Sequence, residues 1–271
     1  MLCEIRGEAR LLPYNGEMKE YGLIGHPLGH SFSRAFFTEK FEKEHIEALY
    51  LNFDIPDVAM LQNIVLEHPD LVGLNCTIPY KESVIPLLDE VSPEALEIGA
   101  VNVIKIQRNE DSQEGVVGNG VRLLGYNTDI IGFSQSISPL LQEWHRHALV
   151  LGTGGAAKAV CLGLSRLGVE CTSVSRKSGD GCLAYQDLTP ETIRDFKVVV
   201  NCTPVGMSPH VDEAPSIPYE ALTPDHVLYD LVYNPEETVF LRRGREAGAV
   251  VKNGMDMLRL QALAGWDIWT K

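Results

Sequence analysis

The stretch HALVLGTGGAAKA, residues 147–159, sets a run of apolar residues directly before a glycine-rich turn and a helix-forming segment. Gly152 to Ala157 fits the pattern G-x-G-x-x-G/A. In that pattern the first glycine makes a tight turn, the second lets the backbone approach a pyrophosphate, and the last small residue allows close helix packing. A glycine pattern alone could be an ordinary turn, but a strand before it and a helix after it predict a dinucleotide-binding Rossmann fold. Its cofactor contacts are expected at Gly152, Gly154, Gly155 and Ala156.

The residues at the end of the next predicted strand indicate which dinucleotide is bound. An NAD site usually has a carboxylate there, about 20 residues after the glycine turn. This chain has Ser175-Arg176-Lys177 instead. A guanidinium can bind a 2′-phosphate with two hydrogen bonds, and a lysine adds a point charge. The run therefore favours NADP, and a solvated basic turn is the alternative interpretation.

Short apolar runs alternate with helical patterns on both sides of the glycine turn, which is typical of a largely parallel α/β sheet. On the N-terminal side we expect a strand from Tyr21 and a helix from Pro79 through Lys81 to Leu88. The amphipathic stretch 254–269 has no strand of its own, so we expect it to pack back on the first sheet.

The pattern predicts an α/β protein of two domains. A substrate-binding catalytic domain with a mostly parallel sheet is expected from residues 1–128 and 254–271, and a Rossmann-type NADP-binding domain from residues 129–253. Residues 1–17 differ from the rest and end in a turn cluster before Met18. We expect them to be peripheral, with Met18 as the functional start.

Length, charge and cysteine content restrict the class of protein. The 271 residues, 45% hydrophobic and 22% charged, are ordinary for a globular enzyme. A net charge of -14 argues against broad contact with nucleic acid. No apolar run approaches the roughly 20 residues that span a bilayer, and the six scattered cysteines predict neither a zinc site nor a disulfide framework. We expect a cytoplasmic protein with no metal, nucleic-acid or membrane partner.

Two further stretches, NCTIPYK and GYNTD, end in the ionisable residues Lys81 and Asp129. Each follows a predicted strand, and the carboxyl ends of parallel strands meet at one edge of a sheet. Either residue alone would more often be a surface charge. Their matching positions predict a pair suited to proton transfer on a carbonyl or hydroxyl.

Short polar residues occupy equivalent positions and fit a hydroxylated ring, or else act as helix caps and turn formers. They are Ser31, Ser33, Asn75, Thr77 and Asn102.

From Tyr21 to Trp269 the chain resembles the shikimate dehydrogenase family. The matching motifs, in chain order, are GHPLGHSFS, NCTIPYK, GAVN, GYNTD, GTGGAAKA, NCTPVGM, YDLVYNP and GMDMLRLQ. The chain departs from the family pattern at several positions. Arg34 stands where a proline usually follows the serines, Phe37-Thr38 replaces a common His-Asn, Cys76 replaces a common valine, and Ser175 replaces an asparagine.

The resemblance implies reversible, NADP-dependent reduction of 3-dehydroshikimate to shikimate in the pathway to aromatic amino acids, by a monomer or homodimer. Lys81 and Asp129 would be the catalytic pair, without a metal. The substrate carboxylate would be held by Ser31 and Ser33, near Tyr233. The ring hydroxyls would be contacted by Asn75, Thr77, Asn102 and Gln261. The nicotinamide would lie near Gly254 and Met257, and the cofactor cleft would be lined by Asn201, Thr203, Pro204, Val205, Gly206 and Met207.

Three other interpretations compete with this one. A quinate/shikimate dehydrogenase that prefers NAD is disfavoured by the Ser-Arg-Lys run. A relative of methylene-tetrahydrofolate dehydrogenase would have no use for the HSFS and GAVN residues. A non-catalytic NADPH-binding regulator is disfavoured because Lys81 and Asp129 are both present.

Overall fold

The chain folds around two six-stranded sheets. The structure, a computed structural model, describes residues 18–29, 32–108, 117–118, 120–179 and 181–271. The expectations for residues 1–17 and for Ser31 therefore lie outside the described residues.

The first sheet contains β1 Lys19–Gly25, β2 Ala48–Asp54, β3 Leu71–Cys76, β4 Glu90–Val91, β5 Val103–Arg108 and β6 Val121–Tyr126. The second contains β7 His147–Leu151, β8 Glu170–Ser175, β9 Leu183–Ala184, β10 Val198–Asn201, β11 Val227–Asp230 and β12 Val250–Lys252. The helices are α1 Phe32–Glu44, α2 Leu61–Glu67, α3 Pro93–Ile98, α4 Asp129–Ile137, α5 Gly155–Arg166, α6 Pro190–Asp195, α7 Val239–Glu246 and α8 Met255–Thr270.

The first sheet has the strand order β2-β1-β3-β5-β6-β4. Its strands are parallel except for β5, which runs antiparallel to both of its neighbours. The inner strands β1 and β3 are almost wholly buried, as expected for apolar runs in a sheet that is covered on both faces. The predicted mostly parallel sheet is therefore confirmed, with β5 and β6 forming an antiparallel pair.

The second sheet has the order β12-β11-β10-β7-β8-β9 and is parallel throughout. The chain passes from β7 to β8 on one side and later returns to β10 on the other side of β7. The strand order thus reverses next to β7, and a crevice opens there outside the carboxyl ends of the strands. The glycine turn directly follows β7, which confirms the Rossmann-type prediction.

The last helix, α8, packs back on the first sheet, as predicted. Trp269 Nε1 donates a 3.0 Å hydrogen bond to the carbonyl oxygen of Ile104 on β5. Helix α8 also crosses α4 closely, because a Cβ at Gly132 would lie 2.5 Å from the carbonyl oxygen of Met257. Since α4 in turn packs on α5 of the second sheet, α4 bridges the two halves of the molecule.

The predicted helix from Pro79 to Leu88 is wrong. The structure has turns there, followed by a short 3-10 helix, Ile85–Leu87. The Lys81 carbonyl accepts a 2.7 Å hydrogen bond from the Val101 amide, so it does not serve the Ile85 amide as a continuous α-helix requires. Lys81 therefore lies in a loop anchored to the residues that precede β5.

The cysteine spacing predicts no disulfide framework, but the structure contains one bonded pair. Cys161 on α5 and Cys171 on β8 are joined by a disulfide, with their Cα atoms 5.6 Å apart. Helix α5 lies against β8, so residues ten positions apart in sequence face each other across the helix and strand. Their spacing alone carries no sign of this packing.

Candidate active site

A cleft of about 530 Å³ lies where the carboxyl ends of the first sheet meet the start of α5. The predicted substrate residues in its wall are Ser33, Asn75, Thr77, Lys81, Asn102, Asp129, Tyr233 and Gln261. The predicted cofactor residues in its wall are Ala156, Met207, Gly254 and Met257. The wall also has an apolar part that was not predicted. The sequence contained one sign of it, because its residues lie in or beside the motifs. They are Leu28, Phe32, Cys76, Ile78, Leu231 and Leu258.

Lys81 and Asp129 meet in this cleft. Lys81 Nζ lies 2.6 Å from Asp129 Oδ2, and the two side chains are 20% and 9% exposed. Lys81 comes from the anchored loop after β3, whereas Asp129 is the first residue of α4. The pair is largely removed from water, so its electrostatic interactions are stronger than those of a surface ion pair.

The other oxygen of Asp129 is held by Asn102. Asn102 Nδ2 donates a 2.9 Å hydrogen bond to Asp129 Oδ1, and Asn102 Oδ1 accepts one of 2.7 Å from the Thr128 amide. Asn127 Oδ1 accepts a 3.0 Å hydrogen bond from the Asp129 amide. Asn127 and Thr128 lie in the GYNTD motif but were not predicted as site residues. Together these contacts hold the Asp129 carboxylate in an orientation that faces Lys81.

Gln261 and Asn75 complete the polar wall. Gln261 Oε1 lies 3.4 Å from Asn102 Nδ2, and Gln261 Nε2 donates a 3.0 Å hydrogen bond to the Leu258 carbonyl. Asn75, at the end of β3, directs Nδ2 toward the Asn102 carbonyl at 3.5 Å. The wall therefore offers several amide groups to a ligand rich in oxygen atoms.

Tyr233 also lines the cleft, with its ring centroid 6.1 Å from that of Phe32. Burial raises the pKa of the Tyr233 hydroxyl, so the group stays protonated and keeps a hydrogen-bond donor at neutral pH.

The geometry of the glycine turn fits a pyrophosphate. Gly152 has a φ of +117°, which only glycine adopts readily, and its amide donates a 2.8 Å hydrogen bond to the carbonyl of Val174 on β8. Gly154 caps α5, and a Cβ there would meet no atom within 4 Å. The backbone at the start of α5 is thus open to an anion, and the free amides of its first turn point toward that space.

Ser175 ends β8, which pairs with β7 beside the glycine turn, and Arg176 and Lys177 follow it. The Ser175 hydroxyl donates to the Lys177 carbonyl at 2.6 Å and accepts from the Lys177 amide at 3.3 Å, which shapes a tight turn. Arg176 and Lys177 are exposed. Neither forms an ion pair with any other described residue, so both charges are available to a phosphate.

The loop after β10 lies at the same carboxyl edge of the second sheet as the glycine turn and the turn at Ser175. Asn201 Oδ1 accepts hydrogen bonds from the Thr203 amide at 3.1 Å and the Thr203 hydroxyl at 2.6 Å. Asn201 Nδ2 donates a 2.9 Å hydrogen bond to Asp230, which is fully buried at the end of β11. Burial raises the pKa of Asp230 to about 6, against the opposing effect of hydrogen bonds from Thr238, Val232 and Asn201. Asp230 was not predicted, although an acid within the apolar run VLYDLVY was a signal.

The remaining predicted cofactor residues do not line the main cleft. They lie beside it along the carboxyl edge of the second sheet: Gly152, Gly154, Gly155, Ser175, Arg176, Lys177, Asn201, Thr203, Pro204, Val205 and Gly206. A Cβ at Gly155 would lie 4.0 Å from that of Lys81, so this edge borders the cleft.

Metal-binding clusters and membrane-spanning helices are two further features that would bear on function. Within the described ranges, no group of three or more His, Cys, Asp or Glu side chains is arranged to hold a metal ion. No helix in the described part of the chain has both the length and the apolar character to cross a membrane.

Known proteins match both the sequence and this architecture. A family model described as the shikimate dehydrogenase substrate binding domain matches residues 23–104. A shikimate dehydrogenase (NADP(+)) from Carboxydothermus hydrogenoformans is 36% identical in an alignment 272 residues long. The alignment covers 94% of this chain and 93% of that protein. The chain belongs to the shikimate dehydrogenase family.

Two solved structures relate this family member to its ligands. Shikimate 5-dehydrogenase from Thermus thermophilus, in complex with NADP(H) and shikimate, has a TM-score of 0.79 and 32% identity, covering 93% of this chain and 94% of that one. Quinate dehydrogenase from Corynebacterium glutamicum, in complex with NAD, has a TM-score of 0.80 and 26% identity, covering 94% of each chain. The shared fold therefore accommodates both dinucleotides.

Proposed function

We propose that this protein is an NADP-dependent shikimate dehydrogenase, which reversibly reduces 3-dehydroshikimate to shikimate in the pathway to aromatic amino acids. The observation that carries the proposal is the Lys81–Asp129 pair, 2.6 Å apart in a cleft bordered by the glycine turn, in a chain of this family.

The proposed chemistry combines hydride transfer with proton transfer. When bound, NADPH supplies the hydride for the ring carbonyl carbon. As negative charge builds on the carbonyl oxygen, Lys81 Nζ stabilises it and provides the proton. Asp129, fixed by Asn102, orients the lysine and the resulting hydroxyl. The near-exclusion of water from the pair strengthens this electrostatic stabilisation.

We assign the substrate contacts to the polar wall of the cleft. Ser33 holds the carboxylate through its hydroxyl group, with Tyr233 in the wall of the same cleft. Ser31, which the family resemblance implies in the same role, lies outside the described residues. Hydrogen bonds to a charged group contribute about 1.5–3 kcal/mol each, so an acidic protein can bind this anion without a buried arginine. The ring hydroxyls contact Asn75, Thr77, Asn102 and Gln261.

We assign NADP to the adjacent edge of the second sheet. The open backbone at Gly154 receives the pyrophosphate, and Arg176 with Lys177 binds the 2′-phosphate. The loop Asn201–Met207 flanks the cofactor, and Gly254 and Met257 face the nicotinamide. The exposed cationic pair beside the glycine turn supports NADP over NAD.

We further propose the domain division 1–128 with 254–271 for substrate and 129–253 for dinucleotide. The match of the substrate-domain family model to residues 23–104 supports the first part. A cytoplasmic location and a monomeric or homodimeric state stay predictions from the sequence.

An absorbance assay of the reduced nicotinamide tests the function. The purified protein is given shikimate or quinate with NADP⁺ or NAD⁺, and we expect the highest kcat/KM for shikimate with NADP⁺. Comparable kcat/KM for quinate with NAD⁺ would instead identify a quinate/shikimate dehydrogenase. Tight NADPH binding without oxidation of either acid would identify a non-catalytic regulator.

A further inference from the structure

Tyr50 on β2 contacts Asn75, a residue of the cleft wall, from outside the cleft. Its side chain is 4% exposed and stacks on Phe37, with ring centroids 4.9 Å apart and planes 8° apart. The Tyr50 hydroxyl donates a 2.6 Å hydrogen bond to Asn75 Oδ1. Asn75 lines the cleft, whereas Tyr50 does not.

The Tyr50 hydroxyl determines how Asn75 faces the cleft. Burial raises the pKa of Tyr50 far above its ordinary value, so the phenol keeps its proton at neutral pH. Because the Tyr50 hydroxyl donates to Oδ1 of Asn75, the other amide atom, Nδ2, faces the Asn102 carbonyl and the cleft. An amide nitrogen carries two protons, and the Asn102 carbonyl accepts only one of them. The second proton is available to a ligand.

We propose that Tyr50 is a positioning residue: through Asn75 it presents an amide donor to the substrate. The substrate oxygen that meets Asn75 must therefore act as a hydrogen-bond acceptor. This inference rests on the proposed function, because it takes Asn75 to be a substrate contact.

Tyr21 provides a matched comparison. It lies on the neighbouring strand β1, directly opposite Tyr50 in the parallel register, and is buried in the same aromatic cluster. Among the described residues, its hydroxyl forms no hydrogen bond. Replacing either tyrosine by phenylalanine removes one buried hydroxyl from this cluster, but only the Tyr50 change removes a contact to the cleft wall.

The test compares Tyr50→Phe, Tyr21→Phe and wild type. A hydrogen bond contributes about 1 kcal/mol, and one is lost, so the KM for shikimate should rise about fivefold in Tyr50→Phe. The kcat and the KM for NADP⁺ should stay within about twofold of wild type. All three constants should stay within about twofold in Tyr21→Phe. A purely structural role for Tyr50 would lower the melting temperature without this selective change in KM.

A double-mutant cycle tests the route through Asn75. In an Asn75→Ala background, Tyr50→Phe should add no more than about a twofold rise in the KM for shikimate. Full additivity, an unchanged KM in the single variant, or a Tyr50→Phe protein that does not fold would each overturn the inference. If the wild-type protein does not oxidise shikimate at all, the proposed function fails as well, so the two failures are distinguishable.

Discussion

Replacing Lys81 by methionine removes the ammonium group and keeps a linear side chain of similar length. Asp129 then loses its 2.6 Å contact with Nζ but keeps the 2.9 Å hydrogen bond from Asn102. Loss of a general acid typically lowers the rate by about 10²–10⁴. We expect a fall of that size in kcat, which raises the activation free energy by about 2.7–5.4 kcal/mol at about 1.36 kcal/mol per factor of ten.

The same change should also lower the free energy of unfolding. Breaking a fully buried ion pair costs about 3–5 kcal/mol, and an exposed pair contributes about 0–1 kcal/mol. The Lys81–Asp129 pair lies between these limits because its side chains are 20% and 9% exposed. We therefore expect a loss of about 1–3 kcal/mol, measured by urea unfolding, with the folded state still dominant.

Lys40→Met is the control. The Lys40 side chain is 11% exposed and Nζ also lies 2.6 Å from a carboxylate, that of Glu44, but Lys40 is outside the cleft. Its kcat should stay within about twofold of wild type. Steady-state kinetics and NADPH fluorescence titration provide the measurements. If Lys81→Met keeps its kcat within about twofold of wild type, Lys81 has no part in the mechanism. If Lys81→Met loses much of its NADPH affinity, the substitution disturbs more than proton transfer.

Two further predictions concern the cofactor half. Arg176→Asp should weaken NADPH binding by about 10- to 100-fold, the loss expected for a charged hydrogen bond of about 1.5–3 kcal/mol, and leave NADH binding almost unchanged in fluorescence titrations. Equal effects on both cofactors would reject the 2′-phosphate assignment. Asp230 has a pKa raised from 3.8 to about 6, so the native state binds its proton more tightly than the unfolded chain does. Its contribution to the free energy of unfolding is therefore greatest below about pH 3.8 and falls by up to about 3 kcal/mol as the pH rises through about 6. In urea unfolding, the stability difference between wild type and Asp230→Asn should decline over this interval, and a constant difference would contradict the assignment.

The strand-to-helix motifs were predictable because their signals are local. The apolar run before Gly152, the small residues of the turn and the helix after it are contiguous, so the dinucleotide-binding half follows from adjacent residues. The pairing of Lys81 with Asp129 needed one further step, the rule that carboxyl ends of neighbouring strands share an edge. The false helix after Pro79 shows where local reasoning fails, because a hydrogen bond from Val101, twenty residues further on, takes the carbonyl that the helix would have used.

By itself, the sequence indicated the α/β class, the glycine turn and the candidate reacting side chains, since periodicity and motif spacing are properties of neighbouring residues. Only the tertiary structure decided that Asn102 orients Asp129, that Tyr50 supports Asn75 from outside the cleft, that Asp230 holds the Asn201 loop and that Cys161 bonds Cys171. Each of these contacts joins residues on different elements. Such distances depend on strand order, register and helix crossing, which the packing of the whole chain determines.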